Sequence, residues 1–249
     1  MIKLQPSRPD DTFWDQTLVD DWFGDIEGNI FVIPGEYEGE YINQINEELN
    51  KYPYAVVLIT SDENSNFPVK ALSHPRMKVW MQYPKDWHEV DHYLPAGYSP
   101  NSKFNIPDTK ELDWFWGGQV THQDRFELVE QLRKMNNGFL LESEGFTQGI
   151  DLQDYLDLMA KAKIVPIPRG NVQPDTMRMY DALELGCMPV IRRQDDIFYK
   201  RLLGGHPFPV IEQWNELPYV KYQDCSIWWQ AYKHTMYKNM VEDIQWLSQ

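Results

Sequence analysis

The chain has 249 residues, room for one large domain or two compact ones of roughly 100–150 residues. Apolar residues make up 42% and charged residues 24%, ordinary globular usage that sets aside disorder and coiled coil; aromatics are high at 14%. Acids outnumber bases 38 to 23, and a net charge of −15 excludes a generally basic nucleic-acid binder, though not a local basic patch.

In chain order, residues 1–28 read as acidic and irregular, with Trp14, Trp22 and Phe23 as docking points. The start has no apolar core of signal-peptide length, and no run of about 18 apolar residues occurs anywhere. A soluble, cytoplasmic chain with no membrane partner is therefore expected. Asn29–Pro34 reads as a buried strand ending in a turn that carries Glu36, Glu38 and Glu40. A helix is predicted from about Tyr41 to Lys51, with Ile42, Ile45 and Leu49 at helical spacing. Ala55–Ile59 and Lys78–Gln82 are further buried strands, so the first region reads as a small parallel α/β unit.

Residues 95–110, rich in Pro, Ser and Asn, read as an interdomain linker, and the chain divides near residue 107. The pattern then restarts. Strands are expected at Trp114–Trp116, Gly138–Leu141, Ile164–Pro168 and Met188–Ile191, alternating with helices at Asp124–Met135, Leu152–Ala162 and Thr176–Leu185. Such alternation predicts a second doubly wound α/β domain over 108–249. Ile191–Arg201, mixed in sign, reads as a loop at the rim of a binding cleft. A C-terminal helix from Ile227 carries Trp229, Tyr232, Met236, Met240, Ile244 and Leu247 as one apolar stripe, expected to pack back toward the first domain. Cys187 and Cys225 cannot make a disulfide framework or a four-cysteine zinc site; they fit a reducing compartment and leave one bridge open.

The stretch Pro168–Ile191 carries the most chemistry: a strand, a loop with Arg169 and Gly170, a helix, a turn glycine and another strand. Gly170 lets backbone approach a ligand at the carboxyl end of the strand. Asp175 or Thr176 can cap the helix, whose first-turn N–H groups favour an anion. Arg178 in that turn can pair with phosphate oxygens, and Asp181, three residues on, shares its face and can accept from ribose hydroxyls. The same residues also fit a capped helix bearing a surface ion pair.

The wording of this stretch resembles the donor-binding half of exostosin-like glycosyltransferases of the GT-B architecture. Pro168, Gly170, Thr176, Arg178, Asp181-Ala-Leu183 and Gly186-Cys-Met-Pro-Val-Ile191 match the family pattern, with Asp181 where the family usually has Glu. Phe115-Trp-Gly-Gly118 followed by Arg125, and Pro207–Trp214, resemble its flanking stretches, so the likeness covers about residues 112–216. The resemblance implies two Rossmann-like domains facing across a cleft, 1–107 on the acceptor side and 108–249 binding the donor. It implies metal-independent, inverting transfer of a sugar from a nucleotide diphosphate, UDP foremost, to a hydroxyl of a glycan or of a modified viral DNA base, with no cofactor. Arg178 and Arg125 would hold the diphosphate. Gly118, Arg169, Gly170 and Thr176 would line its site, and Asp181 would take the ribose. A general base belongs on the acceptor side; Glu36 is favoured, with His122 and Asp124 as rivals. Oligomeric state stays open. A second acid common in such enzymes is replaced by Gln173, so a non-catalytic nucleotide-sugar binder is the alternative.

Two other signals compete. His88-Glu89-Val90-Asp91-His92 matches the H-E-x-x-H zinc pattern, which needs both histidines on one face of a sound helix and a third ligand such as Glu111; Pro95 follows within a turn. Val69–Lys85 has four basic residues, no acids, and Trp80 and Tyr83 interleaved, which suits a polyanion contact or a solvated rim around a buried strand.

Overall fold

The computed structural model describes residues 1–4, 17–34, 41–60, 67–83, 90–98, 102–145 and 149–249. It separates into two compact units, Met1–Pro100 with Tyr232–Gln249, and Asn101–Ala231. Each is built on a five-stranded, all-parallel sheet, so the fold is α/β.

The first sheet contains β1 (Ile2–Lys3), β2 (Ile30–Pro34), β3 (Ala55–Thr60), β4 (Met77–Gln82) and β5 (His92–Leu94), and lies in that spatial order. β2 and β3 are buried along their whole length, which is why they read as unbroken apolar runs rather than alternating ones. Alternate residues feed two faces. Phe31, Ile33, Val57, Ile59, Val79 and Met81 form one core with Ile45 and Leu49 of α2 (Ile42–Leu49). Trp80 turns the other way, onto Phe23 of α1 (Thr17–Phe23) and Asp243 of α7 (Ser226–Ser248). Residues of α7 from Tyr232 onward belong to this unit; Met236, Met240, Ile244 and Leu247 of the apolar stripe are buried.

Several expectations for this unit are corrected. Residues 1–28 are not irregular throughout, since they supply β1 and α1; Trp22 and Phe23 are buried core, and Trp14 lies outside the described residues. The units divide between Pro100 and Asn101, inside the expected linker of 95–110, but its first part, Pro95–Tyr98, is buried, held by Gln82 Nε2 donating to the carbonyls of Pro95 (3.0 Å) and Ala96 (3.3 Å) and by Tyr98 donating to Asp21 (2.6 Å).

The second sheet uses β6 (Leu112–Gly118), β7 (Gly138–Glu142), β8 (Ala162–Pro166), β9 (Met188–Arg192) and β10 (Val210–Ile211), in the spatial order β10-β9-β8-β6-β7. The connecting helices are α3 (Gln123–Leu132), α4 (Leu152–Ala160), α5 (Met177–Glu184) and α6 (Arg193–Leu203). From β6 the chain steps outward to β7, crosses back to the far side of β6 for β8, and continues to β9 and β10. The direction therefore reverses between the neighbours β6 and β8, which pair Leu112 with Ala162 and Trp114 with Ile164. Connections leaving these two strands diverge, and the gap between them is where open α/β sheets hold ligands.

The expected rim loop at Ile191–Arg201 is instead the helix α6. Its ends follow the rules for helix termini: Asp195 and Asp196 in the first turn, Lys200 and Arg201 in the last, and Gly204 at φ +67° closing it. Tyr199, Leu202 and Leu203 are its buried face. Cys187 and Cys225 are both free and buried, and burial pushes each thiol up to about 11, so the open bridge is not formed. Among the described residues no helix is long and apolar enough to cross a membrane.

Candidate functional site

The reversal between β6 and β8 carries a pocket of about 540 Å³. Its wall comes from three carboxyl-end segments: His122, Asp124 and Glu127 after β6, Arg169–Val172 after β8, and Arg192 and Gln194 after β9.

Asp124 is the fixed point of this wall. One oxygen accepts from Trp214 Nε1 (2.9 Å) and Arg192 Nη1 (3.1 Å); the other accepts from the Arg169 backbone N–H (3.3 Å). A buried carboxylate is tolerable only with such partners. These three bonds tie α3, the loop after β8, the end of β9 and the Trp214–Tyr219 turn together. Arg125 does parallel work. Its guanidinium donates to the carbonyls of Gln119 (3.1 Å) and Arg169 (3.3 and 3.4 Å), bracing the loop after β6 against the loop after β8.

His122 Nε2 lies 3.1 Å from the Arg169 carbonyl, which only accepts, so the proton sits on Nε2. Burial and the neighbouring Arg125 charge hold its pKa below the usual imidazole value, favouring the neutral ring. With its carbonyl tied to His122 and Arg125 and its N–H to Asp124, Arg169 has a fixed backbone. Its guanidinium makes no hydrogen bond or ion pair among the described residues.

Arg178 and Thr176 stand at the start of α5. Arg178 donates to the Gly117 carbonyl from Nη2 (2.6 Å) and Nε (3.2 Å), and its guanidinium carbon sits 5.2 Å from the centre of the Trp116 ring. Gly118 is what lets it reach there, because an added Cβ would lie 2.5 Å from Arg178 Nη2. Tyr155 of α4 also meets the Gly117 carbonyl (3.4 Å). Burial raises the Tyr155 pKa, and the opposed charges of Arg178 and Asp181 both act on it, so these three side chains are neighbours. Thr176 occupies the N-cap position without making a capping bond; its Oγ1 is buried with no partner, as are Gln173 Nε2 and Trp116 Nε1. Buried polar atoms left in this way are uncommon and mark places where a ligand or water is expected.

On α6, Asp195 is 2% exposed and one carboxylate oxygen has no partner. Burial pushes its carboxyl up to about 6; the Arg169 charge opposes the rise and the Asp124 charge adds to it.

The structure thus brings Arg125, Arg169 and Gly170 together with His122 and Asp124. Arg178, Asp181, Thr176 and Gly118 form a neighbouring group at the ends of β6 and α5, outside the pocket wall. Asp181, at 2% exposure, is enclosed rather than facing open solvent. Glu36, Glu38 and Glu40 lie outside the described residues. Sequence reasoning placed Ile191–Arg201 at the cleft rim without singling out Arg192, Gln194 or Asp195, named Trp214 only through the resemblance, and missed Tyr155. Only Asp195 carried a usable signal, an acid in a helix first turn directly after a buried strand.

The zinc-helix expectation is corrected. His92 opens the strand β5, lies tilted against Trp80 with ring centres 4.1 Å apart and pairs with Asp243 at 3.2 Å; His88 and Glu89 lie outside the described residues. No group of three or more metal-binding side chains is assembled among the described residues. The basic stretch does not present interleaved aromatics, since Trp80 and Tyr83 are buried. Lys78 is paired with Asp91 at 2.7 Å, and Arg76 donates to the Leu247 carbonyl.

A scan of the chain against protein-family models matches none, and no curated protein is significantly similar to it.

Proposed function

We propose that residues 101–231 bind the nucleotide-diphosphate part of a sugar donor and that the chain is a glycosyltransferase of the GT-B architecture. The observation that carries this reading is the β6–β8 reversal, where a guanidinium without partners, Arg169, stands over a pocket built from three carboxyl-end segments. Arg169 and the Gly170 backbone would meet the diphosphate, and Thr176 would meet it at the N-terminus of α5. Arg125, enclosed by backbone carbonyls, would act by holding the two loops in register. Arg178 and Asp181 would fix the Gly117–Gly118 end of β6. The departing diphosphate gains charge as the glycosidic bond breaks, so a fixed cation stabilises the transition state more than the bound donor. The acceptor and its base fall to the first unit, with Glu36 still the candidate.

The test is a thermal-shift panel of UDP-, GDP-, ADP- and dTDP-sugars, followed by turnover of whichever labelled donor binds. A ligand at 100 times its dissociation constant raises stability by about 2.7 kcal/mol. One donor class should shift the transition, Arg169→Ala should abolish the shift, and turnover should persist in a chelator. Shift without turnover on any acceptor would leave a nucleotide-sugar binder. No shift with any of the four would defeat the reading.

A further inference from the structure

His122 stands at the N-cap position of α3, where a side chain ordinarily caps the first turn, and it makes no such bond. Its Nε2–H is committed to the Arg169 carbonyl at 3.1 Å. That fixes the tautomer and leaves Nδ1 with a bare lone pair. Nδ1 makes no hydrogen bond or ion pair among the described residues and stays open to solvent on the pocket wall. The ring is held neutral, because burial and the Arg125 charge both act against the imidazolium.

The rest of the wall decides what can meet that lone pair. Its carboxylates are Asp124 and Glu127 and its guanidiniums Arg169 and Arg192, so their formal charges cancel. Arg192 is committed to both carboxylates, at 3.1 and 3.4 Å, and Gln123 donates to Glu127 at 3.1 Å. Arg169 and His122 Nδ1 stay unpaired, a cation and an acceptor joined through the Arg169 backbone. The guanidinium sits on a long, rotatable stem anchored at the residue His122 touches, so it can close over an anion seated at Nδ1. A fully deprotonated oxyanion meets attraction from Arg169 and lone-pair repulsion from Nδ1. An oxyanion that keeps a proton satisfies both: a charged oxygen accepts from the guanidinium, and the O–H donates to Nδ1.

We propose that this wall selects a protonated oxyanion, the class of phosphate and phosphate monoesters, over sulfate and other oxyanions that carry no O–H, and that His122 Nδ1 is the group that reads the proton. This rests on the anion-binding part of the proposed function and adds to it the form of the ligand. The diphosphate of an intact sugar donor carries no O–H near neutral pH. The terminal phosphate of the nucleoside diphosphate left after transfer takes a proton with a pKa of about 6, as phosphate monoesters do. The site would then hold that product more tightly than the donor.

The experiment is calorimetric titration of the full chain near neutral pH with inorganic phosphate and with sulfate at matched ionic strength. Phosphate keeps at least one O–H there and sulfate keeps none. Phosphate should bind roughly tenfold more tightly. In His122→Gln the amide N–H can take over the bond to the Arg169 carbonyl, but no acceptor replaces Nδ1. The preference should vanish there while sulfate affinity is kept. His122→Asn puts an amide oxygen where Nδ1 stood and loses the Nε2–H; Arg125 still holds the Arg169 carbonyl, so the preference should remain. A purely structural role for His122 gives the reverse pattern, with the Gln variant like the unaltered chain and the Asn variant weak for both ions. That pattern, equal affinity for the two ions in the unaltered chain, or no binding of either overturns the proposal. Should the variants fail to fold, the Nδ1 nitrogen resonance of His122 in the unaltered chain decides. Saturating phosphate must move it from the bare toward the hydrogen-bonded range with Nε2 unchanged, and sulfate must not; an unmoved resonance overturns the proposal. UDP and UDP-glucose are titrated in parallel. Phosphate selection with no nucleotide or nucleotide sugar bound would sink the donor reading and leave this proposal standing. Nucleotide binding with no selection between phosphate and sulfate would do the opposite.

Discussion

The two units share a plan, five parallel strands and flanking helices, and differ in one topological respect. In the first, strand order follows chain order from β1 to β5. Each connection then advances in one direction, and no two neighbouring strands send their loops apart. In the second, the order β10-β9-β8-β6-β7 reverses once, and the pocket lies at that reversal, with the buried, hydrogen-bond-free Thr176 Oγ1 and Trp116 Nε1 in the neighbouring group. The lesson is that sheet class alone does not make a site. A parallel sheet needs a place where its loops part, and only there does backbone geometry leave room for a ligand. In the first unit buried Gln82 and half-buried Asp243 each satisfy neighbours.

The sharpest way to break this comparison is to remove one hydrogen-bonded acid from each unit, buried Asp124 and half-buried Asp243. Asp124 accepts from Trp214, Arg192 and the Arg169 backbone, so Asp124→Ala leaves two N–H groups without their acceptor and the half-buried Arg192 guanidinium with Glu127 alone. The expected loss is about 3–5 kcal/mol in denaturant titration, together with loss of ligand binding. Asp243 accepts from Trp80 Nε1 (2.9 Å) and pairs with His92 (3.2 Å), and is more exposed. Asp243→Ala should cost about 1–3 kcal/mol and leave binding by the second unit unchanged. Equal costs, or loss of binding in both, would show that the second unit is not organised around its acid.

How much of this could be read beforehand depends on sequence distance. The buried strands announce themselves, because Ile30–Pro34 and Ala55–Thr60 are apolar on both faces. The loop with Arg169 and Gly170 is legible too, since strand, glycine and helix are contiguous. By contrast α6 reads as a loop: its apolar face is only Tyr199, Leu202 and Leu203, hidden among charges that in fact mark its two ends. Arg192 and Gln194 reach the pocket because β9 lies beside β8, and Trp214 reaches Asp124 across 90 residues. No local spacing encodes such neighbours. The neighbours of Arg178 and Asp181 are hidden in the same way, because the Gly117 carbonyl lies 61 residues before Arg178 and Tyr155 lies on another helix.

A gentler substitution sharpens the comparison. In Gly118→Ala the new methyl meets the end of the Arg178 side chain, and the backbone is strained as well, because φ at this position is +155°. Arg178 would then lose its charge-assisted bonds to the Gly117 carbonyl, which are worth about 1.5–3 kcal/mol where they matter. Donor affinity should fall tenfold or more, and the thermal transition should fall too, by the roughly 1 kcal/mol or more that a side chain costs at such a φ. In the first unit, Gly28→Ala places a methyl 3.1 Å from Ile244 Cδ1, again against a movable end. It should leave donor affinity unchanged. If Gly118→Ala binds donor normally, the Gly117–Gly118 corner is structural and Arg169 alone carries the anion.

The smallest effect separates the units by pH. Each has a His–Asp pair, His92 with Asp243 and His206 with Asp196, both at 3.2 Å. The His206 side chain is only 1% exposed and stacks on Phe208 at 4.8 Å; burial lowers its pKa despite the Asp196 charge. A depressed histidine contributes stability that is present above its unfolded value of 6.5 and is lost as pH falls through the folded value. Asp243 is lowered too: burial works against its charged form, but hydrogen bonds from His92 and Trp80 outweigh it. Its contribution is therefore lost only as pH falls below the ordinary carboxylate value of 3.8. Asp195 acts in the opposite sense, its burden present at neutral pH and relieved as pH falls through about 6, so the comparison belongs in an Asp195→Asn background. There, His206→Phe keeps the ring stacked on Phe208 and removes the titration. It should flatten the decline in stability just below pH 6.5, measured as the denaturation midpoint against pH. An unchanged slope would mean that His206 titrates alike in the folded and unfolded chain, and that the second unit's acid sensitivity must come from carboxylates, as in the first.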